Sequence, residues 1–429
     1  MLREGPGGSQ DNRRWPSDED VEGTKQGARE LIGLGDIYVG AASYESAVDC
    51  FSRALKLLPL EGAPEERASV LRKITYCLGK LGRNQEAEAY IEEAEETAQD
   101  ISDVAEKARI LIEKGKLDVV GGRLDLALSC AEKARSLLAE TPENKERGFA
   151  ENLLGNVLMR MGKQEESRRC FLASLDFFKR AGDIRTLALA YNNLGLVFKN
   201  ACDWPRAIEY LQVALNLQAV EGEYHGRSQQ IQNLGVIQLK MGNWKSAQDS
   251  FEQCLQIGRE VSDPLRVLRA LIGLAAVHRI TRTWALAAGD LQQARELLEE
   301  HAFAREDVLV EKSLGEVAFD QGDLDTAERH FEKAWSLANR TEAGEDVICE
   351  LLRLRAELAL ERKDSQKALA LARNARQAAK DVGDRFEAAL SWRVMALASS
   401  ARGTVAEANA AFESGIQELK EIGEKYTLG

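Results

Sequence analysis

The chain has 429 residues and a formal charge of −13, from 57 Lys plus Arg against 70 Asp plus Glu, with 44% hydrophobic and 6% aromatic residues. The acid excess argues against direct nucleic-acid binding, which needs a net basic face to release counterions from phosphates. No run of about 18 apolar residues occurs, and Met1 leads into a polar stretch rather than an apolar one. No membrane insertion and no secretory signal are expected, and seven dispersed cysteines without a CxxC pair make a reducing, cytoplasmic compartment the reading.

Taken in chain order, residues 1–22, MLREGPGGSQDNRRWPSDEDVE, mix Gly, Pro and charge without periodicity and are expected to be a disordered leader. From Gly23 to about residue 425 the chain repeats itself every 40 residues, ten times. Small residues recur at Gly35, Thr75, Gly115, Gly155, Gly195, Gly235, Ala275, Gly315, Ala356 and Ala396, and again twelve positions later from Ala47 to Ala408. A period of this length marks stacked supersecondary units, each unable to bury its apolar face alone, so function is expected on an extended surface.

Each unit reads as a helical hairpin. In the fifth, LALAYNNLGLVFKN is followed by the break ACDW and then PRAIEYLQVALNLQ, with apolar residues at three and four spacing in both halves. Gly82, Gly122, Gly162, Gly242, Gly322 and Gly403 stand seven residues after the first small position, where a left-handed glycine would end the first helix. Tyr44, Leu124, Trp204, Trp244, Trp284 and Leu324 follow as plugs of the hairpin corner. Thr141-Pro142 and Asp263-Pro264 match an N-cap followed by proline at the first helical position. A third small position, Ala54 through Ala375 with Gly415 in the last unit, is preceded three residues earlier by Phe51, Ile91, Phe171, Leu211, Phe251, Leu291, Phe331 or Phe412, and places the contact of each second helix with the next unit.

This order of Gly or Ala, then Ala, then Phe or Leu, then Ala resembles the tetratricopeptide repeat, with Pro59 closing the first unit as in that family's pattern. The resemblance spans residues of roughly 28 to 422 and implies an all-α superhelical solenoid, an α-α superhelix of about ten hairpins that binds proteins. The 40-residue period exceeds the family's usual 34 and is similar to a long-repeat subgroup of cell-polarity adaptors, kinesin light chains and bacterial transcription regulators. One extra residue falls near Gly344, and residues 426–429 look like the start of a further repeat.

No enzymatic constellation emerges, and neither a catalytic residue nor a cofactor is expected. His225, His278, His301 and His330 lie in different units, and the seven dispersed cysteines form no CxxC pair, so no metal site is expected. The residues left unexplained by packing lie on the first helices of the central units. They are Asn152, Asn156 and Arg160; Asn192, Asn193 and Lys199; Gln232, Asn233 and Lys240; and Arg279. Asparagine carries both donor and acceptor and can bracket an extended peptide backbone, while adjacent cations favour carboxylates. The NLG triplets at Asn193 and Asn233 resemble the asparagine ladder with which long-repeat members hold peptides. Beyond them, Lys312, Glu316, Asp320, Glu350, Arg353, Glu357 and Glu361 form a mixed-charge stretch, read as intrahelical pairs such as Arg353 with Glu357.

The expected function is therefore a non-catalytic protein-interaction scaffold that binds an extended or helical partner segment with acidic groups in a concave groove. The alternative is a sensory arm of a larger signalling protein, a kinase or transcription regulator whose effector lies outside this chain. Self-association through the C-terminal end is a separate expectation, since terminal solenoid units normally need a polar cap.

Overall fold

The structure is a computed structural model and describes residues 18–41, 43–59, 63–221, 224–301, 303–341 and 345–422. Among these residues there are twenty α-helices and no strand. Two compact units are formed, Met1–Glu113 and Lys114–Gly429.

The first unit holds α1 (Asp18–Gly40), α2 (Tyr44–Leu57), α3 (Pro64–Lys80), α4 (Asn84–Thr97) and the first half of α5 (Val104–Val120). The second unit runs on through α6 (Leu124–Leu137), α7 (Asn144–Arg160), α8 (Gln164–Ala181), α9 (Ile184–Asn200), α10 (Trp204–Glu221), α11 (Tyr224–Lys240) and α12 (Trp244–Glu260). It ends with α13 (Pro264–Ile280), α14 (Trp284–Glu300), α15 (Ala304–Asp320), α16 (Leu324–Thr341), α17 (Glu345–Glu361), α18 (Ser365–Asp381), α19 (Arg385–Ala401) and α20 (Val405–Glu421). Helix α1 begins at Asp18, ahead of Gly23, while residues 1–17, Gly344 and residues 426–429 lie outside the described residues.

The small positions work by admitting a large partner. A Cβ added at Gly155 would lie 2.8 Å from the Phe171 ring, at Gly235 2.8 Å from Phe251 and at Gly315 2.5 Å from Phe331, closer than real Cβ contacts come. These aromatic side chains therefore seat against the first helix of their own hairpin, where the sequence pattern alone placed them against the next one. Phe251 does both: a Cβ at Gly273, in the following hairpin, would also fall 2.6 Å from its ring. Where a hydroxyl or thiol replaces alanine, it donates to the facing helix: Ser167 Oγ to the Gly155 carbonyl, Ser174 Oγ to that of Gly148, and Cys254 Sγ to that of Ser228. Each polar atom is thereby satisfied although its side chain is buried.

All six corner glycines adopt a left-handed backbone, with φ between 74° and 82°. In the hairpins that lack glycine, Cys202 (φ 59°), Arg282 (φ 59°) and Lys363 (φ 64°) take the same conformation. Asp263 caps α13 as expected, accepting from Arg266 N ahead of Pro264. Thr141 does not cap α7. That helix starts at Asn144 with Glu143 as its N-cap, and the Thr141 hydroxyl instead donates to the Leu138 carbonyl at the end of α6.

Within the second unit the first helices of neighbouring hairpins, α7, α9, α11, α13, α15, α17 and α19, touch one another in series. They form the inner layer, and their partner helices the outer one. This superhelix returns on itself. Phe386, Ala389 and Leu390 of α19, with Leu419 and Ile422 at the end of α20, share one apolar cluster with Phe198, Cys202, Trp204, Leu211, Leu234 and Ile237. The outer side of α20 stays uncovered among the described residues, with Phe412 38% and Ile416 42% exposed.

Candidate functional site: the inner face of the second unit

The inner helices carry a row of amides. In α7, Asn156 Nδ2 donates to both the carbonyl and the side-chain oxygen of Asn152, at 3.0 and 3.1 Å. The Asn152 Nδ2 is buried without a partner. One hairpin on, Asn233 Nδ2 donates to Asn192 Oδ1 at 3.3 Å, and Asn192 Nδ2 to Asn193 Oδ1 at 3.1 Å, so three amides from α9 and α11 form one relay. Asn192 and Asn193 are almost wholly buried, whereas Asn233 and Gln232 are half-buried. Gln232 Nε2 donates to the Arg269 carbonyl of α13 at 3.2 Å.

Gln230 was not legible as a site residue. It lies one helical turn before Asn233 on α11, is 2% exposed, and its Oε1 accepts nothing. A buried, unsatisfied amide oxygen costs of order 1–3 kcal/mol, so a bound donor at this place would recover it. Its only sequence signal is the three-residue spacing to Asn233, which core positions share.

The cations are placed differently from one another. Arg160 donates to the Val119 carbonyl, and Lys199 is half-buried near the end of α9. Arg279 is engaged by the chain's own carboxylates, Asp320 at 2.6 Å and Glu316 at 3.2 Å. Burial lowers the Lys240 pKa, but the carboxylates of Asp384, Glu350 and Glu387 outweigh it and raise it above its ordinary value. Lys312 pairs with Glu350, and Arg353 with Glu387 at 2.7 Å and Glu357 at 3.2 Å. Burial raises the Glu350 pKa, yet Lys312 and Lys240 overcome that and hold it well below the usual carboxylate range. Glu387, beside Glu350 and Asp384, is pushed up, first by burial and despite Arg353. The inner face thus changes character along the solenoid, from an amide row on α7 to α11 to an internally paired charge ladder on α13 to α19.

Two histidines sit against acids, His278 Nδ1 2.7 Å from Asp290 and His330 Nδ1 2.7 Å from Glu311, each with a single carboxylate. Side-chain surroundings of His225 lie outside the described residues. Among the described residues no three His, Cys, Asp or Glu side chains group as a metal site, and no helix is long and apolar enough to cross a membrane.

Fold and inner face together define an all-α repeat solenoid. The tetratricopeptide-repeat model matches residues 146–219 and 227–302, which are therefore tetratricopeptide repeats, and the same hairpin geometry continues on both sides of those spans. Among solved structures it is similar to a Rap protein complexed with competence and sporulation factor, with a TM-score of 0.64 and 15% identity over 85% of this chain and 99% of that one. The apo quorum sensor NprR from B. thuringiensis gives 0.57 at 13% identity, over 83% of this chain and 99% of that one. A Rap conjugation gene regulator in complex with a Phr peptide gives 0.54 at 15% identity, over 75% and 96%. No curated protein matches the chain in sequence.

Proposed function

We propose that the chain is a non-catalytic interaction module whose inner face, along α7, α9 and α11, holds an extended peptide segment of a partner. The observation that carries this reading is the pair of buried amide atoms left without partners there, the donor Asn152 Nδ2 and the acceptor Gln230 Oε1. A peptide backbone offers the complementary acceptor and donor in every residue and asks for no particular side chain. Two Rap structures of similar fold, one in complex with a Phr peptide and one with competence and sporulation factor, support it as an analogy.

A preference for acidic partners belongs to the stretch around Arg160, since Arg279 and Lys240 already face carboxylates of the chain itself. The similar fold of a protein described as a quorum sensor favours a second reading, a regulatory arm that reports peptide binding to a partner or to a further domain.

Selection of random heptapeptides displayed on phage against the protein tests the proposal. Enriched peptides should lose most of their binding to the Asn152→Ala, Gln230→Ala double variant. Enrichment that survives both substitutions, or no enrichment at all, contradicts it.

A further inference from the structure

Where the superhelix returns on itself there is a cleft of about 680 Å³. Its walls come from the start of α8, the α9–α10 corner, the residue after α11, and the facing ends of α19 and α20. None of its lining residues belongs to the inner amide row. The volume is within the range of small-ligand pockets.

Two of the lining side chains carry buried polar atoms with no partner. Trp204 is 2% exposed and its indole Nε1 donates to nothing. Gln164 turns its Nε2 toward the Val382 carbonyl, at 3.4 Å, and that leaves its buried Oε1 as the end without a donor. An indole N–H can only donate and an amide oxygen can only accept. Such a pair in one cleft is complementary to a group that accepts at one end and donates at the other, and an amide does both.

The rim specifies the charge of the occupant. Glu165 is paired with Arg168 at 2.6 Å, Asp203 with Arg206 at 3.4 Å and Glu421 with Arg385 at 3.5 Å, so the rim charges balance. Val197, Phe198 and Ile422 supply apolar wall. Burial pushes the Cys202 thiol up to about 12, which keeps it protonated and excludes it as a nucleophile.

We infer that this cleft is a second binding site, for a neutral amide-bearing ligand with an apolar side chain, such as a short uncharged peptide segment. Because its walls come from α8–α11 and from α19–α20, the site exists only while the superhelix is closed, and occupancy stabilises the closed form by its differential affinity.

The test uses the full chain and N-acetyl-leucine methylamide as the probe. The indole N–H signal of Trp204, assigned by its loss in Trp204→Phe, should shift saturably on titration. Gln164→Leu should weaken the probe about fivefold, the worth of one neutral hydrogen bond, while Leu286→Ala, at an exposed position on α14 outside both sites, leaves it unchanged. A Trp204 signal that does not move, or equal affinity in Gln164→Leu, overturns the inference. Either result leaves the inner-face proposal standing, since that depends on other residues.

Discussion

Lys240 Nζ lies 4.5 Å from the centre of the Phe386 ring, joining α11 to α19 across the closed superhelix of the second unit. The ammonium lies over an aromatic face and within the field of Asp384, Glu350 and Glu387. A desolvated cation–π contact contributes about 2 kcal/mol. Lys240→Met should therefore speed hydrogen exchange in α19 and α20 while leaving α13 and α14 unchanged. Uniform exchange across the unit would show that Lys240 does not join the two ends.

The paired charges on the inner face make stability depend on acid. Glu350 is held below its ordinary value of 4.5, so its contribution is complete above that value and is lost as the pH falls toward its lowered folded-state value. Glu350→Gln should cost about 2 kcal/mol at neutral pH, the worth of a hydrogen bond to a charged group. Its melting temperature should then fall less steeply than the wild type's below pH of about 4.5. Parallel curves for the two proteins would remove Glu350 from the acid response.

Lys363 holds a left-handed backbone at the corner between α17 and α18, where six other hairpins use glycine. A side chain in that conformation costs about 1 kcal/mol. Lys363 is exposed, so Lys363→Gly removes the strain without opening a cavity. A rise in melting temperature is expected; a fall would mean that the lysine side chain contributes more than its backbone costs.

The close seating of Phe331 on Gly315 predicts the opposite sign. Gly315→Ala places a Cβ 2.5 Å from the ring and should destabilise by about 1–3 kcal/mol through overpacking, despite the better helix propensity of alanine. Restored stability in a Gly315→Ala, Phe331→Leu double variant would locate the strain in that contact.

The 40-residue period made the hairpins, the left-handed glycines and the buried alanines legible because each is a nearest-neighbour feature that recurs in phase. Arg353 with Glu357 was readable for the same reason, being one turn apart on a single helix. The return of α19 and α20 onto Trp204 and Ile237 was not, since closure depends on small rotations summed over several hairpins and no periodicity records it. The fate of the site residues follows the same division. Spacing placed Asn192 and Asn193 on an inner helix, but it could not show that they are buried and bonded to each other, or that Arg279 is engaged by Asp320 of α15. Thr141 misled because a hydroxyl before proline serves a helix end as readily as a helix start.

The central claim is that a partner peptide lies along α7, α9 and α11. Photo-crosslinking tests it most directly, with a benzoylphenylalanine-bearing version of a peptide selected against the protein and mass spectrometry of the adducts. The account predicts adducts on residues of the inner face around Asn156, Gln232 and Asn233. Adducts confined to the outer helices α8, α10 and α12 would contradict it.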